Sequence, residues 1–129
     1  MTPARLRGKA ILVVEDEPEV ASTLARLLAL DDHRVTTARD GRAALKLLQE
    51  AEYDLILSDI KMPGLDGLGF YRALVRTHPG MARRIAFVTG DTDPYESHAF
   101  LAESGVPYAV KPLTLAEVRR VVRQVLGAS

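Results

Sequence analysis

Short apolar runs alternate along this chain with segments whose apolar residues recur at helical spacing. That alternation restricts the fold more than any other feature. Ala10–Val14 (AILVV), Leu55-Ile56-Leu57 and Ile85-Ala86-Phe87-Val88 are each too brief for a buried helix and suit strands covered on both faces. Residues 34–38 (RVTTA) read as a strand rich in β-branched side chains, and Val106–Val110 as a fifth. Between them, Pro18 opens a helix whose inward residues are Val20, Leu24, Leu27 and Leu28. Asp40 caps a second helix over 41–51 with Ala44, Leu45 and Leu48 facing inward. Leu68, Tyr71, Leu74 and Val75 mark a third, ending near His78-Pro79-Gly80. Asp93, Pro94 and Glu96 read as the cap and first turn of a fourth helix, which Gly105 stops. Thr114 and Glu117 form a capping box for a fifth, whose buried stripe is Leu115, Val118, Val122 and Val125. Five βα units with short connections imply an α/β fold: a doubly wound parallel sheet with right-handed crossovers.

The chain's 129 residues suit one domain, and roughly two-thirds of the unfolded surface of such a chain is buried on folding. Residues 1–8 are polar with Pro3 and Gly8 and are expected to form a flexible tail, so the domain is placed at 9–127. Lys plus Arg and Asp plus Glu both number 17, so no net charge draws the protein to nucleic acid or anionic lipid. Cysteine is absent, which removes disulfides and thiolate metal sites. Neither a signal-length apolar region nor a membrane span is present, and a soluble cytoplasmic protein is expected. The sequence ends just after the fifth helix, so no second domain and no direct contact with DNA are expected. His33, His78 and His98 show no ligand spacing and read as solvated surface residues.

The carboxyl ends of the strands carry the chemistry. They deliver Glu15 and Asp16, then Asp59, then Thr89, then Lys111. Ligands of open α/β sheets collect outside these ends. Taken singly, each has an ordinary explanation. Asp59 suits a turn cap, Glu15-Asp16-Glu17 suits a helix N-terminus, and Lys111-Pro112 suits a surface turn. In strand order 2-1-3-4-5 the acids converge beside Asp59, with Thr89 and Lys111 flanking it. Carboxylates so crowded repel one another, and either one pKa rises or a cation intervenes. Mg2+ fits, because it takes one or two carboxylates plus water and a phosphate oxygen. The set suits a carboxylate nucleophile, Asp59, for phosphoryl transfer.

At these positions the chain resembles the receiver domain of bacterial two-component response regulators. The likeness covers about residues 9–126 and rests on VVEDEP, SDIKMPGLDG, FVTGD and YAVKP in that order. It implies the flavodoxin-like strand order 2-1-3-4-5. It implies that Asp59 accepts a phosphoryl group from a phosphohistidine of a histidine kinase or histidine phosphotransfer protein. Glu15, Asp16, Asp59 and the backbone carbonyl of Lys61 would then position Mg2+. By the same resemblance Thr89 turns toward the phosphoryl oxygens and Tyr108 swings inward behind it, remodelling the surface of helix 4, strand 5 and helix 5. Lys111 bonds the phosphoryl group, and the Lys111-Pro112 peptide is cis. The catalysis implied is the domain's own aspartyl phosphorylation and dephosphorylation, without turnover of an independent substrate. A downstream protein target and a phosphorylation-dependent homodimer are the implied partners. Lys61 and Asp91, each two residues past a site residue, are expected to pair across the phosphoryl group and slow attack by water, while Gly90 leaves room for a donor. Leu113 departs from the aromatic residue common after Lys-Pro in the family.

Three other readings share parts of this pattern. A haloacid-dehalogenase-type phosphatase wants a second Asp two residues after the nucleophile, where this chain has Lys61. A flavodoxin-like electron carrier binds a flavin phosphate after strand 1, where Glu15-Asp16-Glu17 would repel it. An unphosphorylated interaction module of receiver fold is opposed by the intact acids, Thr89 and Lys111. The context stays open between a single-domain regulator and a receiver excised from a hybrid sensor histidine kinase, which the FVTGD strand end also resembles.

Overall fold

The structure is a computed structural model and describes residues 2–90 and 95–127. Five parallel strands, β1 (Ala10–Val14), β2 (Arg34–Ala38), β3 (Leu55–Asp59), β4 (Ile85–Thr89) and β5 (Tyr108–Val110), form one sheet in the order β2-β1-β3-β4-β5. Helices α1 (Pro18–Ala29), α2 (Gly41–Glu50), α3 (Gly67–Thr77), α5 (Tyr95–Ser104) and α6 (Leu115–Leu126) cover both faces. A one-turn helix, α4 (Pro79–Ala82), was not anticipated from the sequence. Pro79 begins it and Met81 fills the core beneath it, so the residues that end α3 start a further turn.

Alternation along the strands divides the core in two. Leu12, Val14, Ile56, Ile85 and Phe87 face Phe70, Leu74 and Leu101. Ile11, Val13, Leu55, Leu57 and Ala86 face Leu24, Leu28, Val118 and Val122. Burial on both faces explains why β1, β3 and β4 read as continuous apolar runs, whereas edge strand β2 is partly exposed. The expected cap at Asp40 forms, its carboxylate accepting from the Ala43 N–H at 2.8 Å. The Thr114 hydroxyl accepts from the Glu117 N–H at 3.2 Å, but the Glu117 carboxylate turns to Arg120 rather than back to Thr114. The caps expected at Asp93, Pro94 and Glu96 lie outside the described residues and side chains.

Several expectations need correction. Val75 is 50% exposed, because the inward arc of α3 falls on Phe70, Ala73 and Leu74. The last strand starts at Tyr108 rather than Val106, since pairing with β4 begins only at Phe87↔Tyr108. The segment expected as a tail is packed against the domain over residues 2–8: Ala4–Leu6 form a 3₁₀ turn, Leu6 is buried, and Arg7 bridges Asp31 and Asp32. Asp31 also receives Arg119 from α6 and the Thr2 hydroxyl, which fastens the segment to two helices. His33 is buried rather than solvated; its Nδ1 accepts from the Lys9 N–H at 3.0 Å, and burial lowers its pKa.

One close approach sets the path of the chain after β3. The Gly67 N–H donates to the Ile60 carbonyl at 2.8 Å, which seats the start of α3 directly on the backbone that follows Asp59. A Cβ at Gly67 would collide with the Asp59 carbonyl oxygen and lie 2.7 Å from Ile60 Cα. Neither atom is a flexible side-chain end, so the backbone itself would have to move. Gly67→Ala is therefore expected to lose about 2 kcal/mol or more in urea unfolding. Gly80→Ala, where the space is open, is expected to be neutral or stabilising by up to about 1 kcal/mol.

Candidate functional site

Strand register assembles the site. Val14 lies beside Ser58, so the next residues, Glu15 and Asp59, stand together at the sheet rim. Asp59 lies beside Val88, which puts Thr89 one residue further along the neighbouring strand. Thr89 pairs with Val110, and the Lys111 N–H donates to the Thr89 carbonyl at 2.8 Å, extending the ladder by one residue. From there the Lys111 side chain reaches back across β4. Its Nζ is 3.2 Å from Asp59 Oδ2 and 3.7 Å from Glu15 Oε1. The Lys111-Pro112 peptide is cis, as expected.

Glu15, Asp16 and Asp59 each offer a carboxylate oxygen within 4.8 Å of the others. Glu15, Asp59 and Thr89 are buried. The Glu17 N–H donates to Glu15 Oε2 at 3.1 Å, while among the described residues Glu15 Oε1 has no hydrogen-bond partner and lies 3.7 Å from Lys111 Nζ. Burial pushes the Glu15 pKa up to about 7; the Glu17 N–H opposes that rise and the Asp59 charge adds to it. Burial works against the Lys111 charge, but the Asp59 and Glu15 carboxylates outweigh it and raise the Lys111 pKa. One cation is thus held against more than one anion. A buried, unsatisfied carboxylate oxygen in an oxygen-only cluster fits a hard divalent cation such as Mg2+.

Over this cluster opens a cavity of about 440 Å³, lined by Asp16, Asp59, Lys61, Gly90 and Lys111, with Met62 and Pro63 on its wall. The structure therefore brings together Glu15, Asp16, Asp59 and Lys111, with Thr89 at the adjoining strand end and Lys61 and Gly90 at the mouth. A side chain at Gly90 would touch Lys111 Cδ at 3.9 Å, so glycine keeps that side of the mouth open. Asp91 lies outside the described residues. Tyr108 stands apart on the edge strand, 42% exposed. Sequence reading did not single out Met62 as lining the mouth or Gly67 as the contact that seats the loop. Both lie in the SDIKMPGLDG segment, but nothing in their spacing signals how closely helix and strand approach.

A family model described as the response regulator receiver domain matches residues 11–123. The transcriptional regulatory protein TcrA of Mycobacterium tuberculosis is 35% identical over 107 residues, covering 74% of this chain and 42% of that protein. A probable chemotaxis protein CheY of Rhizobium etli is 32% identical over 123 residues and covered over 92% of both chains. Among solved structures, the signal receiver domain of a signal transduction histidine kinase from Syntrophus aciditrophicus superposes with a TM-score of 0.81 at 28% identity, over 94% of this chain and 92% of that one. The chain spans about half the length of the first curated relatives it matches, 42% of TcrA and 55% of the response regulator GacA of Pseudomonas viridiflava.

The raised Glu15 pKa carries a stability cost with a definite sign. Between its ordinary value of 4.5 and about 7, the unfolded chain has released this proton and the folded chain retains it. Stability contributed by the group is full below 4.5 and is lost as pH rises through 7. In chelator, wild type is expected to lose up to about 3 kcal/mol across that window relative to Glu15→Gln. Paired urea titrations from acid to neutral pH read the difference, and parallel slopes for the two proteins would contradict it.

Proposed function

Because the chain belongs to the response regulator receiver family of two-component signalling, we propose that Asp59 is its phosphoacceptor and that Glu15, Asp16, Thr89 and Lys111 serve the transfer. The gathering of three carboxylates within 4.8 Å beside Lys111 carries this reading. The donor is a phosphohistidine on a histidine kinase or histidine phosphotransfer protein. An Asp59 carboxylate oxygen bonds to phosphorus as the P–N bond breaks. The leaving imidazole nitrogen keeps the electron pair and takes a proton from water. Lys111, released from part of its hold on the Asp59 carboxylate, neutralises charge on the phosphoryl oxygens. The Thr89 hydroxyl donates to another of those oxygens.

Mg2+, held by Glu15, Asp16, Asp59 and the Lys61 carbonyl, would supply the remaining charge neutralisation. Glu15 must be ionised to hold it, so the cation displaces the proton that burial otherwise retains. The aspartyl phosphate adds nearly two negative charges to the rim and biases a two-state surface. Tyr108 turns inward in that switch, and the face built by α5, β5 and α6 presents the change to a downstream target or a second copy of the chain. Lys61 at the mouth, with Asp91, guards the phosphoryl group from water. Its exposed position on the cavity wall supports that role. Whether the domain works alone or within a longer regulator or kinase, the chemistry at Asp59 is the same. No helix among the described residues is long and apolar enough to cross a membrane, and work in the cytoplasm beside a kinase belongs to the same proposal.

With a small-molecule phosphodonor and Mg2+, intact-mass measurement is expected to find a single phosphate adduct on wild type. None should appear on Asp59→Asn or in chelator, and an adduct on Asp59→Asn would reject the assignment. Lys111→Ala is expected to slow adduct formation on the order of a hundredfold, read by the intact-mass time course. Lys61→Ala is expected to shorten the adduct's half-life by a few-fold, on the order of the loss of one weak exposed contact; an unchanged half-life would remove its guarding role.

A further inference from the structure

At the opposite end of the sheet, where β1, β3 and β4 begin, the structure holds a second cavity, of about 490 Å³. Four cationic residues line it: Arg5 from the N-terminal turn, Lys9 just before β1, and Arg83 and Arg84 just before β4. Asp54 contributes the one carboxylate, and its Oδ2 is engaged by the Ala10 N–H at 2.9 Å. In a chain whose charges balance at 17 of each sign, this cavity keeps three positive charges uncompensated by side chains.

The arginines that fasten the fold behave differently. Arg7, Arg119 and Arg120 each bridge a carboxylate at 2.8–3.1 Å. Among the described residues, no carboxylate lies within ion-pair reach of Arg5, Lys9, Arg83 or Arg84. Arg84 is nonetheless held, one guanidinium nitrogen donating to the Tyr53 carbonyl at 2.9 Å. The backbone of Lys9 is fixed from both sides, its N–H by His33 and its carbonyl by the Arg34 N–H at 2.8 Å. The cavity floor is apolar and packed, with Leu6 2% and Val125 8% exposed.

We propose that this cavity binds a small anion carrying at least two linked phosphoryl groups. Three of the four cations are guanidinium forks, which match phosphate oxygens in bidentate geometry. Its volume falls within the range of ligand pockets, roughly 300–1,000 Å³. An acidic peptide is less suited, because the strands that open beside the cavity are the three interior ones, and none offers a free edge for an added strand. The site is independent of Asp59 and of the phosphotransfer reading, since it sits at the other end of the strands.

Isothermal titration of the full chain with inorganic pyrophosphate and with adenosine diphosphate, both in chelator, tests the assignment. Saturable one-to-one binding is expected for at least one of them, weakened about tenfold or more in Arg83→Ala and in Arg5→Ala. Arg83→Lys, which keeps the charge but loses the bidentate fork, should bind with an affinity between those of wild type and Arg83→Ala, and Asp59→Asn and Arg39→Ala should bind as wild type does. Thermal unfolding confirms that the variants fold, and among the described residues neither Arg5 nor Arg83 makes a side-chain hydrogen bond that would be lost. Binding of pyrophosphate alone assigns the site to free diphosphate; stronger binding of adenosine diphosphate assigns it to a nucleotide. No saturation with either, equal weakening in Arg39→Ala, or capture of an acidic peptide in preference to both would overturn the proposal.

Discussion

Crowding of negative charge at the carboxyl rim of the sheet is the constraint around which the rest of this domain is arranged. Three carboxylates within 4.8 Å, two of them buried, repel one another in a medium that screens poorly. Lys111 offsets part of that repulsion, while burial, with the Asp59 charge adding to it, makes Glu15 hold its proton toward neutral pH. The folded state therefore stores an unmet demand for positive charge at this rim. A scaffold that tolerates such a demand must be stable elsewhere, and the two apolar layers that enclose β1, β3 and β4 provide that stability.

Parallel pairing makes the crowding reproducible. Neighbouring parallel strands in fixed register end at adjacent points of one rim. Here Glu15 stands level with Asp59, while Thr89 lies one residue and Lys111 two residues beyond that level on β4 and after β5. A slip of one residue in any strand would exchange its inward and outward faces and bury the wrong side chains, so the core enforces the site geometry. Gly67 adds a second restraint, because it lets α3 sit against the backbone leaving Asp59 and fixes the direction in which the loop departs.

The fold class and the rim residues were legible in the sequence because each rests on local chemistry, whereas the strand order came from the resemblance to the receiver family. Apolar runs mark interior strands, and the polar residue after each run must lie at a strand end. What escaped were features decided by packing between segments distant in sequence. Residues 1–8 look like a tail by composition, yet Arg7 finds Asp31 and Asp32 some two dozen positions away, and Leu6 finds the end of α6. His33 looks like a loop histidine, yet it is enclosed where β1 and β2 begin. Val75 satisfies helical periodicity but falls just beyond the buried arc. The arginines before β4 carried no pattern at all, because their meaning lies in sharing a cavity with Arg5 and Lys9.

The two ends of the sheet thus differ in sign within a neutral chain, and helix direction accounts for only part of that difference. Each βα unit brings a helix N-terminus to the carboxyl rim and a helix C-terminus to the amino end. The partial positive charge of the N-termini favours anions at the rim, which assists a phosphoryl group there. At the amino end, a helix C-terminus contributes about half an elementary negative charge, which draws cations to it. Leu126, the last residue of α6, lines that cavity, so this dipole lies close to the four cations. Half a charge against a side-chain surplus of three leaves most of the positive field unanswered. Paired arginines elsewhere in the chain show that the fold neutralises guanidinium groups where it uses them as fasteners. The surplus at the amino end, unpaired with side-chain carboxylates among the described residues, is the field that the proposed anion site would use.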